Sequence, residues 1–519
     1  MAPLENAMAK PPDSAMGLRK PRDPRRSDAP EFGTLSRLLL RSAVVLAALL
    51  TVAGCATRPI NPPITQVEPG TGYRLATRQA YFKEPETLVM LAFSGGGTRA
   101  AAFSYGVLEY LNRTEIVRAS GEKVRLIESV GVITGISGGS FTALAYGLYG
   151  DKLFTEYEQR FLKRDVQGEI IARFFSPAYW GDLWSSHWGR SEMAADLYDE
   201  ILFNRATFGD LGKRRGPLIL AAATDVSTGA RVVFNQDVFD SMCSNLDAVR
   251  LSRAAAASSA VPILLSPVTL NNYGGSCGYK PPAWLEVLSG PAGPPRVAAR
   301  TKREFDERLA LGDGVRRPYI HLVDGGVSDN VGMRSILSAL ELMEALKSAG
   351  VPTRLDTARR IVVIVVNSRS QPSTHWDESE KAPGSIDLLL QSTGVPIDHY
   401  SYESVEQLKD TAERWQVMRA LRNSAAFKGN TDPAVAGALA SPDVEVFAID
   451  VSFGVLKDKA ESEYLYNLPT TFVLPDEAVD RLRAAAGTIL NDSPEFQRLL
   501  RQAGAKVVAK DSLTGPAAQ

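Results

Sequence analysis

The stretch VITGISGGSFTALAYGLYG, residues 132–150, places a serine between glycines where one residue pattern gives way to another. Before the serine, the run from Val132 to Thr134 is β-branched and favours a strand. After it, apolar residues recur at helical spacing over residues 141–148. The sequence therefore predicts a sharp strand-to-helix turn centred on Ser137, and with it a fold that alternates strands and helices.

The glycines of this turn permit backbone angles and close contacts that a side chain would prevent. Gly135, Ser137 and Gly139 fit the G-x-S-x-G pattern of a nucleophile elbow, in which a serine hydroxyl stands at the start of a helix. Because the pattern is short, a glycine-rich turn without chemistry is the alternative interpretation. The stretch predicts that Ser137 is a nucleophile supported by Gly135 and Gly139.

A second glycine-rich turn lies in TLVMLAFSGGGTRAAAFSYGVLEYL, residues 87–111, between a strand-like run and a helical pattern. Consecutive glycines let backbone N–H groups point toward one place, and a helix N-terminus adds partial positive charge there. Gly95, Gly96 and Gly97 are therefore predicted to hold an oxyanion, with Arg99 securing the loop or meeting a phosphate group. The Gly-Lys-Ser/Thr ending of a phosphate loop and the spaced dinucleotide fingerprint are both missing. A flexible turn is the alternative.

A third turn lies in PYIHLVDGGVSDNVGMRSILSALELM, residues 318–343. Asp324 follows a strand candidate at 320–323 and precedes a helix candidate at 333–343, so it could accept a proton from a neighbouring side chain. Its alternative role is to cap its own turn. In an open parallel sheet such turns meet at the carboxyl edge, where ligands bind. The three turns together predict that Ser137 attacks, the glycine loop holds the oxyanion, and the aspartate activates.

These motifs, in this order, resemble the patatin-like phospholipase family. SGGGTRAAAFSYG is similar to the family's oxyanion motif, GISGG to its elbow and DGG to its dyad aspartate. SRAAAASSAVPILLSPV, residues 252–268, is similar to the segment that the family carries between serine and aspartate. The resemblance implies a three-layer α/β/α sandwich with a mainly parallel central sheet. It also implies a Ser-Asp dyad formed by Ser137 and Asp324, with no metal and no cofactor, acting on lipid acyl esters.

Two residues depart from the family pattern: Ala100 stands where a glycine is usual, and Asn330 is not followed by proline. The histidines are His187, His321, His375 and His399. A Ser-His-Asp triad would need one of them on a loop facing the serine. His321 lies in the strand candidate three residues before Asp324, and side-chain alternation directs the two to opposite faces. The histidine pattern therefore favours a dyad over a triad.

We predict that the N-terminal residues 1–54 form a tail followed by an export signal. The apolar run AVVLAALLTVA, residues 43–53, is shorter than the roughly 20 residues of a membrane-spanning helix and is typical of a signal-peptide core. Its ending at Cys55 resembles the lipobox of bacterial lipoproteins, in which the cysteine is lipidated. An uncleaved anchor or a cytoplasmic tail is the alternative. Since Ala56 is not the aspartate that often marks inner-membrane retention, the expected location is the cell envelope, on the periplasmic face of the outer membrane.

The rest of the chain divides into a lipidated tether over residues 55–87, a catalytic domain over residues 88–370 and a C-terminal extension packed on it over residues 371–519. In and near the extension, RIVVIVV and VEVFAIDV predict strands, and residues 384–422 and 476–503 predict helices. The first of these strands could complete the sheet beside the dyad aspartate. The expected fold is therefore the sandwich with a C-terminal α/β extension.

Composition limits the partners. The chain of 519 residues has a net charge of −1, which gives no electrostatic case for a nucleic-acid partner. Cys243 and Cys277 could pair or remain free thiols. Aromatic residues are concentrated over residues 171–189, as a core cap or an interfacial lid.

The function predicted from these features is a serine acyl hydrolase, a phospholipase or lysophospholipase that releases fatty acid through an acyl-enzyme. Its expected partners are a phospholipid or other acyl-ester substrate and the membrane that holds its lipid anchor. The alternatives are a carboxylesterase or acyltransferase with the same dyad, or a non-catalytic envelope lipoprotein.

Overall fold

The fold is that of a computed structural model of the chain. It describes residues 57–82, 86–117, 121–183, 185, 188–284, 299–351, 358–371, 376–429, 431–432, 435, 439, 442–503 and 505–507. The tail and signal predicted over residues 1–54, and the lipidation predicted at Cys55, lie outside these residues. No helix within the described ranges is both long enough and apolar enough to cross a membrane.

One mixed sheet forms the centre of the fold. The strands of the described chain are β1 (Thr87–Phe93), β2 (Thr114–Val117), β3 (Lys123–Arg125), β4 (Val130–Ile136), β5 (Leu218–Asp225), β6 (Arg231–Val233), β7 (Val268–Asn271), β8 (Tyr319–Val323), β9 (Arg360–Asn367), β10 (Glu445–Ser452) and β11 (Lys506–Val507). The central sheet has the order β10-β9-β1-β4-β5-β8-β7, and β6 pairs with β5. Neighbours from β10 to β5 are parallel, whereas β8 is antiparallel to both of its neighbours and β6 is antiparallel to β5. The prediction of a mainly parallel sheet is confirmed. The strands β11, β2 and β3 form a small antiparallel sheet.

Helices cover both faces of the central sheet. The α-helices of the described chain are α1 (Leu75–Arg78), α2 (Gly97–Asn112), α3 (Gly138–Tyr149), α4 (Leu153–Tyr157), α5 (Val166–Phe175), α6 (Pro177–Leu183), α7 (Arg190–Tyr198), α8 (Phe208–Lys213), α9 (Gln236–Ser241), α10 (Leu251–Ser258), α11 (Ala299–Leu311), α12 (Gly326–Asp329), α13 (Arg334–Ser348), α14 (Ser385–Asn423), α15 (Lys459–Tyr466), α16 (Asp476–Asp492) and α17 (Pro494–Gln502). Every residue of β1 and β4 is buried, as expected for parallel strands covered on both sides. The fold is therefore the three-layer α/β/α sandwich that the sequence predicted.

The predicted strands and helices around the three glycine-rich turns are present. β1 and β8 each end directly before the motif that follows them, β4 ends directly before Ser137, and α2 and α3 begin within the first two motifs. β9 is the apolar run RIVVIVV, which the sequence placed beside Asp324. That placement is wrong, because β9 pairs with β1 and β10 at the other side of the sheet.

The C-terminal part of the chain shares the central sheet. β10 forms its edge and pairs with β9 along eight consecutive residue pairs. α16 packs along α2, where Arg483 forms an ion pair with Glu109 at 2.7 Å. Gly106 of α2 lies so close to α16 that an added Cβ would be 2.6 Å from the carbonyl oxygen of Arg483. The small residue thus permits the contact between the two helices.

The expected tether is folded onto the sheet edge from residue 58 onward. The side chain of Asn61, which is only 2% exposed, donates to the Asn271 carbonyl and accepts the Asn271 N–H, both at 2.8 Å. The N–H of Ile64 donates to the carbonyl of Cys243 at 2.9 Å. Since β7 is an edge strand, these bonds satisfy backbone groups that would otherwise be unpaired. The segment therefore differs from the extended linker that its prolines suggested.

Cys243 and Cys277 are joined by a disulfide, with their Cα atoms 5.5 Å apart. The bond links the chain after α9 to the loop after β7. The sequence left open whether these two cysteines pair or remain free thiols, and in the structure they pair.

Candidate active site

Ser137 occupies the predicted turn between β4 and α3, in a conformation that is rare for a residue with a side chain. Its φ is 47° and its ψ is −121°, the strained geometry of a nucleophile elbow. An added Cβ on Gly135 would be 2.8 Å from Ser140, and one on Gly139 would be 2.6 Å from the Ser94 carbonyl oxygen. Both glycines are thus required by close backbone contacts. The expected elbow geometry is present at Ser137.

Asp324 lies beside Ser137 on the wall of one cavity. The Gly326 N–H donates to the Asp324 carboxylate at 2.7 Å. Burial raises the pKa of Asp324 from its ordinary 3.8 to about 6, and the nearby Gly326 N–H and Ser137 hydroxyl partly oppose the rise. A carboxylate with such a pKa is ionised at neutral pH and binds a proton more readily than an exposed aspartate does.

The sheet brings these two residues to one level from opposite strand directions. Ile136 at the end of β4 pairs with Ala222 of β5, and Val323 at the end of β8 pairs with Thr224 of β5. Ser137 is the residue that follows Ile136, and Asp324 is the residue that follows Val323. Because β8 is antiparallel to β5, the aspartate does not reach the site at the carboxyl edge of a parallel strand, as the sequence argument assumed.

The C-terminal end of α10 and the residues that follow it support both Ser137 and Asp324, which sequence reasoning did not identify. The N–H of Ser137 donates to Oγ of Ser258 at 2.9 Å, and the N–H of Asp324 donates to the carbonyl of Ala260 at 2.9 Å. The N–H of Gly325 donates to the carbonyl of Ser258 at 3.0 Å. These residues belong to the fourth family-like motif, so the motif was a signal for this support.

The glycine loop meets the elbow through its backbone. Gly95 donates its N–H to the carbonyl of Asn330 at 2.9 Å, so this predicted oxyanion donor is already engaged. Gly96 and Gly97 have φ values of 137° and 59°, and within the described chain no acceptor is found for the N–H of either. An added Cβ on Gly138 would be 2.0 Å from the carbonyl oxygen of Gly97. The glycine loop therefore carries two N–H groups without an acceptor in the described chain, and it packs directly against the residue that follows Ser137.

Arg99 secures this loop to the C-terminal part of the chain. Its guanidinium donates to the carbonyls of Ser368 at 2.8 Å and Leu468 at 2.6 Å, and to the hydroxyl of Thr470 at 3.0 Å. Burial lowers the pKa of Arg99 to about 9. The N–H of the preceding Thr98 donates to a further carbonyl of the same C-terminal loop at 2.8 Å. Of the two roles predicted for Arg99, the observed contacts fit holding the loop.

A cavity of about 380 Å³ opens beside the pair. Its lining includes Ser137, Asp324, Gly95, Gly96 and Arg99, together with Asn330 of the loop after α12. The apolar part of the wall consists of Val261, Ile263, Val327 and Ile397. Such a cavity can hold an acyl chain against apolar side chains while its ester group lies at the serine.

The described histidines lie outside this cavity. His321 is exposed on β8 and its Nδ1 is 2.9 Å from the Thr269 hydroxyl. His399 is exposed on α14. His187 and His375 lie outside the described residues. In the described part of the chain, no cluster of His, Cys, Asp and Glu has the arrangement of a metal site.

Comparison with known proteins finds a family model that matches the region that holds the site. Residues 91–337 match the family model described as patatin-like phospholipase. No curated protein sequence matches the chain. Similar solved structures include human GIVD cytosolic phospholipase A2, at 14% identity and a TM-score of 0.39, with 87% of this chain and 66% of that chain covered. Its complex with methyl gamma-linolenyl fluorophosphonate gives 14% identity and a TM-score of 0.35, with 82% and 62% covered. The chain thus spans less than two thirds of the length of these structures.

Proposed function

We propose that this chain, whose residues 91–337 match the patatin-like phospholipase family model, is a lipid acyl hydrolase with Ser137 and Asp324 as its catalytic dyad. The substrate class is a phospholipid or lysophospholipid, from which the enzyme releases a fatty acid. The observation that carries the proposal is that Ser137, in a strained elbow conformation, shares one cavity with the buried Asp324 carboxylate.

In the first half of the reaction, Oγ of Ser137 attacks the ester carbonyl carbon while its proton passes to the carboxylate of Asp324. The tetrahedral intermediate collapses and breaks the bond to the leaving alcohol oxygen, which takes the proton from Asp324. The acyl group is then bound to the serine. A pKa near 6 suits this exchange, since the carboxyl group must both accept and return a proton near neutral pH.

In the second half, water attacks the acyl-enzyme and gives its proton to Asp324. Collapse of the second tetrahedral intermediate releases the fatty acid and returns the proton to the serine oxygen. In both halves the amides of Gly96, Gly97 and Gly138 stabilise the oxyanion. Gly95 supports the loop through its bond to Asn330 instead.

Substitution of the dyad tests the proposal. Ser137→Ala and Asp324→Asn should each lower the hydrolysis of a chromogenic acyl ester by up to about 10⁶-fold, because members of one catalytic unit fail together. Circular dichroism of each variant checks the fold. His321→Ala, the matched control on the neighbouring strand, should remain within about tenfold of the parent. A folded Ser137→Ala variant with parental turnover would falsify the dyad.

A fluorophosphonate probe separates the hydrolase from a non-catalytic lipoprotein. The probe should label the parent at Ser137 and leave Ser137→Ala unlabelled. A carboxylesterase or acyltransferase with the same dyad would also be labelled. A panel of phospholipids, lysophospholipids and short esters, each with and without an acceptor alcohol, distinguishes these activities from the proposed one.

The location that we propose is the periplasmic face of a bacterial outer membrane, with a lipid on Cys55. The support is the apolar run and the lipobox-like ending in the sequence. Cys55→Ala should abolish labelling by radioactive palmitate and move the protein out of the detergent-soluble membrane fraction. Palmitate labelling that persists in this variant would refute the assignment.

A further inference from the structure

Exposed aromatic side chains line a second large cavity, whose lining does not include Ser137. This cavity has a volume of about 1020 Å³. Phe174 and Phe175 of α5, Trp180 of α6 and Tyr319 of β8 line it and are 39% to 69% exposed. We refer to these four side chains as the aromatic face. Large apolar side chains grouped at the surface indicate an interaction site, and aromatic rings are favoured at membrane interfaces.

Arg58 lies at the base of the aromatic face. Its guanidinium is over the ring of Tyr319, 5.7 Å from the centroid. It donates to the carbonyl of Thr269 at 3.2 Å and to Oδ1 of Asn271. Both acceptors are neutral, so neither compensates the positive charge.

The surroundings of Arg58 carry an excess of positive charge. Burial and the neighbouring Arg253 both lower the pKa of Arg58, and Glu192 opposes them. Glu192 is already bonded to Arg253 at 2.9 Å in a buried ion pair. The single carboxylate of Glu192 therefore offsets the charge of two guanidinium groups, those of Arg253 and Arg58. This local excess complements an anionic surface.

The path of the chain determines which surface this face can meet. Arg58 is three residues after Cys55, the cysteine on which we propose a lipid anchor. Three extended residues span at most about 11 Å. From Asn61 onward the chain is bonded to the sheet edge, so no longer linker is available. A lipid on Cys55 thus holds Arg58, and the aromatic face with it, close to the bilayer.

We propose that the aromatic face and Arg58 form the surface by which this protein docks on an anionic lipid bilayer. The inference rests on the proposed lipid anchor, and it adds an orientation on the membrane. The loop of residues 261–267 connects this surface to the catalytic cavity: Val261 and Ile263 line the catalytic cavity, and Ser266 and Pro267 line the aromatic one. Docking by this face therefore places the entrance used by a lipid substrate near the bilayer.

A fluorescent probe on single cysteines tests this orientation. Phe175→Cys places the probe on the aromatic face, and Tyr402→Cys, at a 59% exposed side chain of α14, is the matched control on another exposed surface. Each full-length lipoprotein is labelled with nitrobenzoxadiazole, and the unsubstituted chain controls for labelling of other thiols. The proteins are added to vesicles of phosphatidylethanolamine and phosphatidylglycerol that contain doxyl-labelled phospholipid.

The expected result is a blue shift and several-fold stronger doxyl quenching at Phe175→Cys than at Tyr402→Cys. Adding Arg58→Gln should weaken the quenching, and so should replacing phosphatidylglycerol with phosphatidylcholine. Equal quenching at both positions, stronger quenching at Tyr402→Cys, or failure to bind the vesicles would each overturn the proposal. A blue shift of the Phe175→Cys probe without vesicles would also overturn it, because that result identifies a second copy of the chain as the occupant. The blue shift and the doxyl quenching can also be measured in the Ser137→Ala background, where they do not depend on turnover. Failure of docking and failure of the proposed hydrolase are therefore distinguishable.

Discussion

Asp324 must be ionised before it can accept the proton of Ser137, so its pKa sets an acid limit on activity. Because burial raises that pKa to about 6, the carboxylate is present above this pH and lost below it. We expect kcat/KM for a soluble ester to fall about tenfold for each pH unit below 6. The measurement is a pH profile, with circular dichroism at each pH to exclude unfolding. A midpoint near 4, the value of an exposed aspartate, would contradict the assignment of Asp324 as the base.

Gly96 tests the oxyanion loop at a single position. Its φ of 137° disfavours any side chain, and a Cβ there would be 2.9 Å from Ser368 Oγ and 3.0 Å from the Arg99 guanidinium. Gly96→Ala should therefore displace the amide and lower turnover by about 10²- to 10³-fold. Gly229→Ala is the control, because Gly229 also has a positive φ of 73° but open space around its Cα. Turnover that falls equally in both folded variants would show a general strain effect instead.

At the residue scale, the sequence predicted that Ser137 and Asp324 lie together, as the structure has them, but it did not predict the contacts that support them. The turn around Ser137 carried a local pattern, since an elbow needs glycines within a few residues of the serine. No local pattern indicated the hydrogen bond from the Gly95 N–H to the Asn330 carbonyl, because this bond joins two loops that meet only in the folded chain. Ser258 lay within a motif that had been singled out, but no pattern indicated that its hydroxyl would accept the N–H of the nucleophile.

At the scale of elements, the contact of the glycine loop with the C-terminal part of the chain is open to a direct test. Arg99→Lys keeps a positive charge but cannot reproduce three divergent hydrogen bonds. We expect kcat/KM to fall about tenfold or more, as buried carbonyls lose a charged donor. Arg483→Lys is the control, because Arg483 joins α16 to the same helix α2 through Glu109. If both variants lose stability equally and neither loses turnover, the contact of Arg99 is only structural.

Strand order was less accessible to sequence reasoning than strand identity. An apolar run such as RIVVIVV indicates a buried strand, because both faces of a central parallel strand are covered. It does not indicate which neighbours the strand has. The position of β9 beside β1, and the antiparallel direction of β8, follow from long-range pairing that a single sequence does not encode locally.

For the whole molecule, the disulfide is a test of stability rather than of catalysis. Cys243 and Cys277 are 34 residues apart in sequence, and closing such a loop contributes about 3–4 kcal/mol by the chain-entropy estimate. The Cys243→Ser/Cys277→Ser variant should therefore unfold at a lower denaturant concentration than the parent. Ester turnover measured well below that midpoint should be unchanged. An unchanged midpoint would mean that the bond adds nothing to folding.

The N-terminal segment shows why domain boundaries were harder to predict than motifs. Pro59, Pro62, Pro63 and Pro69 suggest an extended linker. In the structure the segment is instead bonded to the sheet, because the side chain of Asn61 pairs with backbone groups of the edge strand β7. Composition indicates local conformation, whereas attachment to the domain depends on which backbone groups the partner strand leaves unpaired.

The contacts of Arg99 also set an order of events during synthesis. A chain made from its N-terminus presents Ser137 early, whereas the carbonyls of Ser368 and Leu468 that hold the guanidinium come much later. The strands that complete the sheet beside β1 also come late. Until that part has been made, Ser137 is present but the glycine loop lacks the contacts that hold it. For the hydrolase proposed above, we therefore expect a growing chain to be inactive toward the lipids around the cell's protein-synthesis and export machinery.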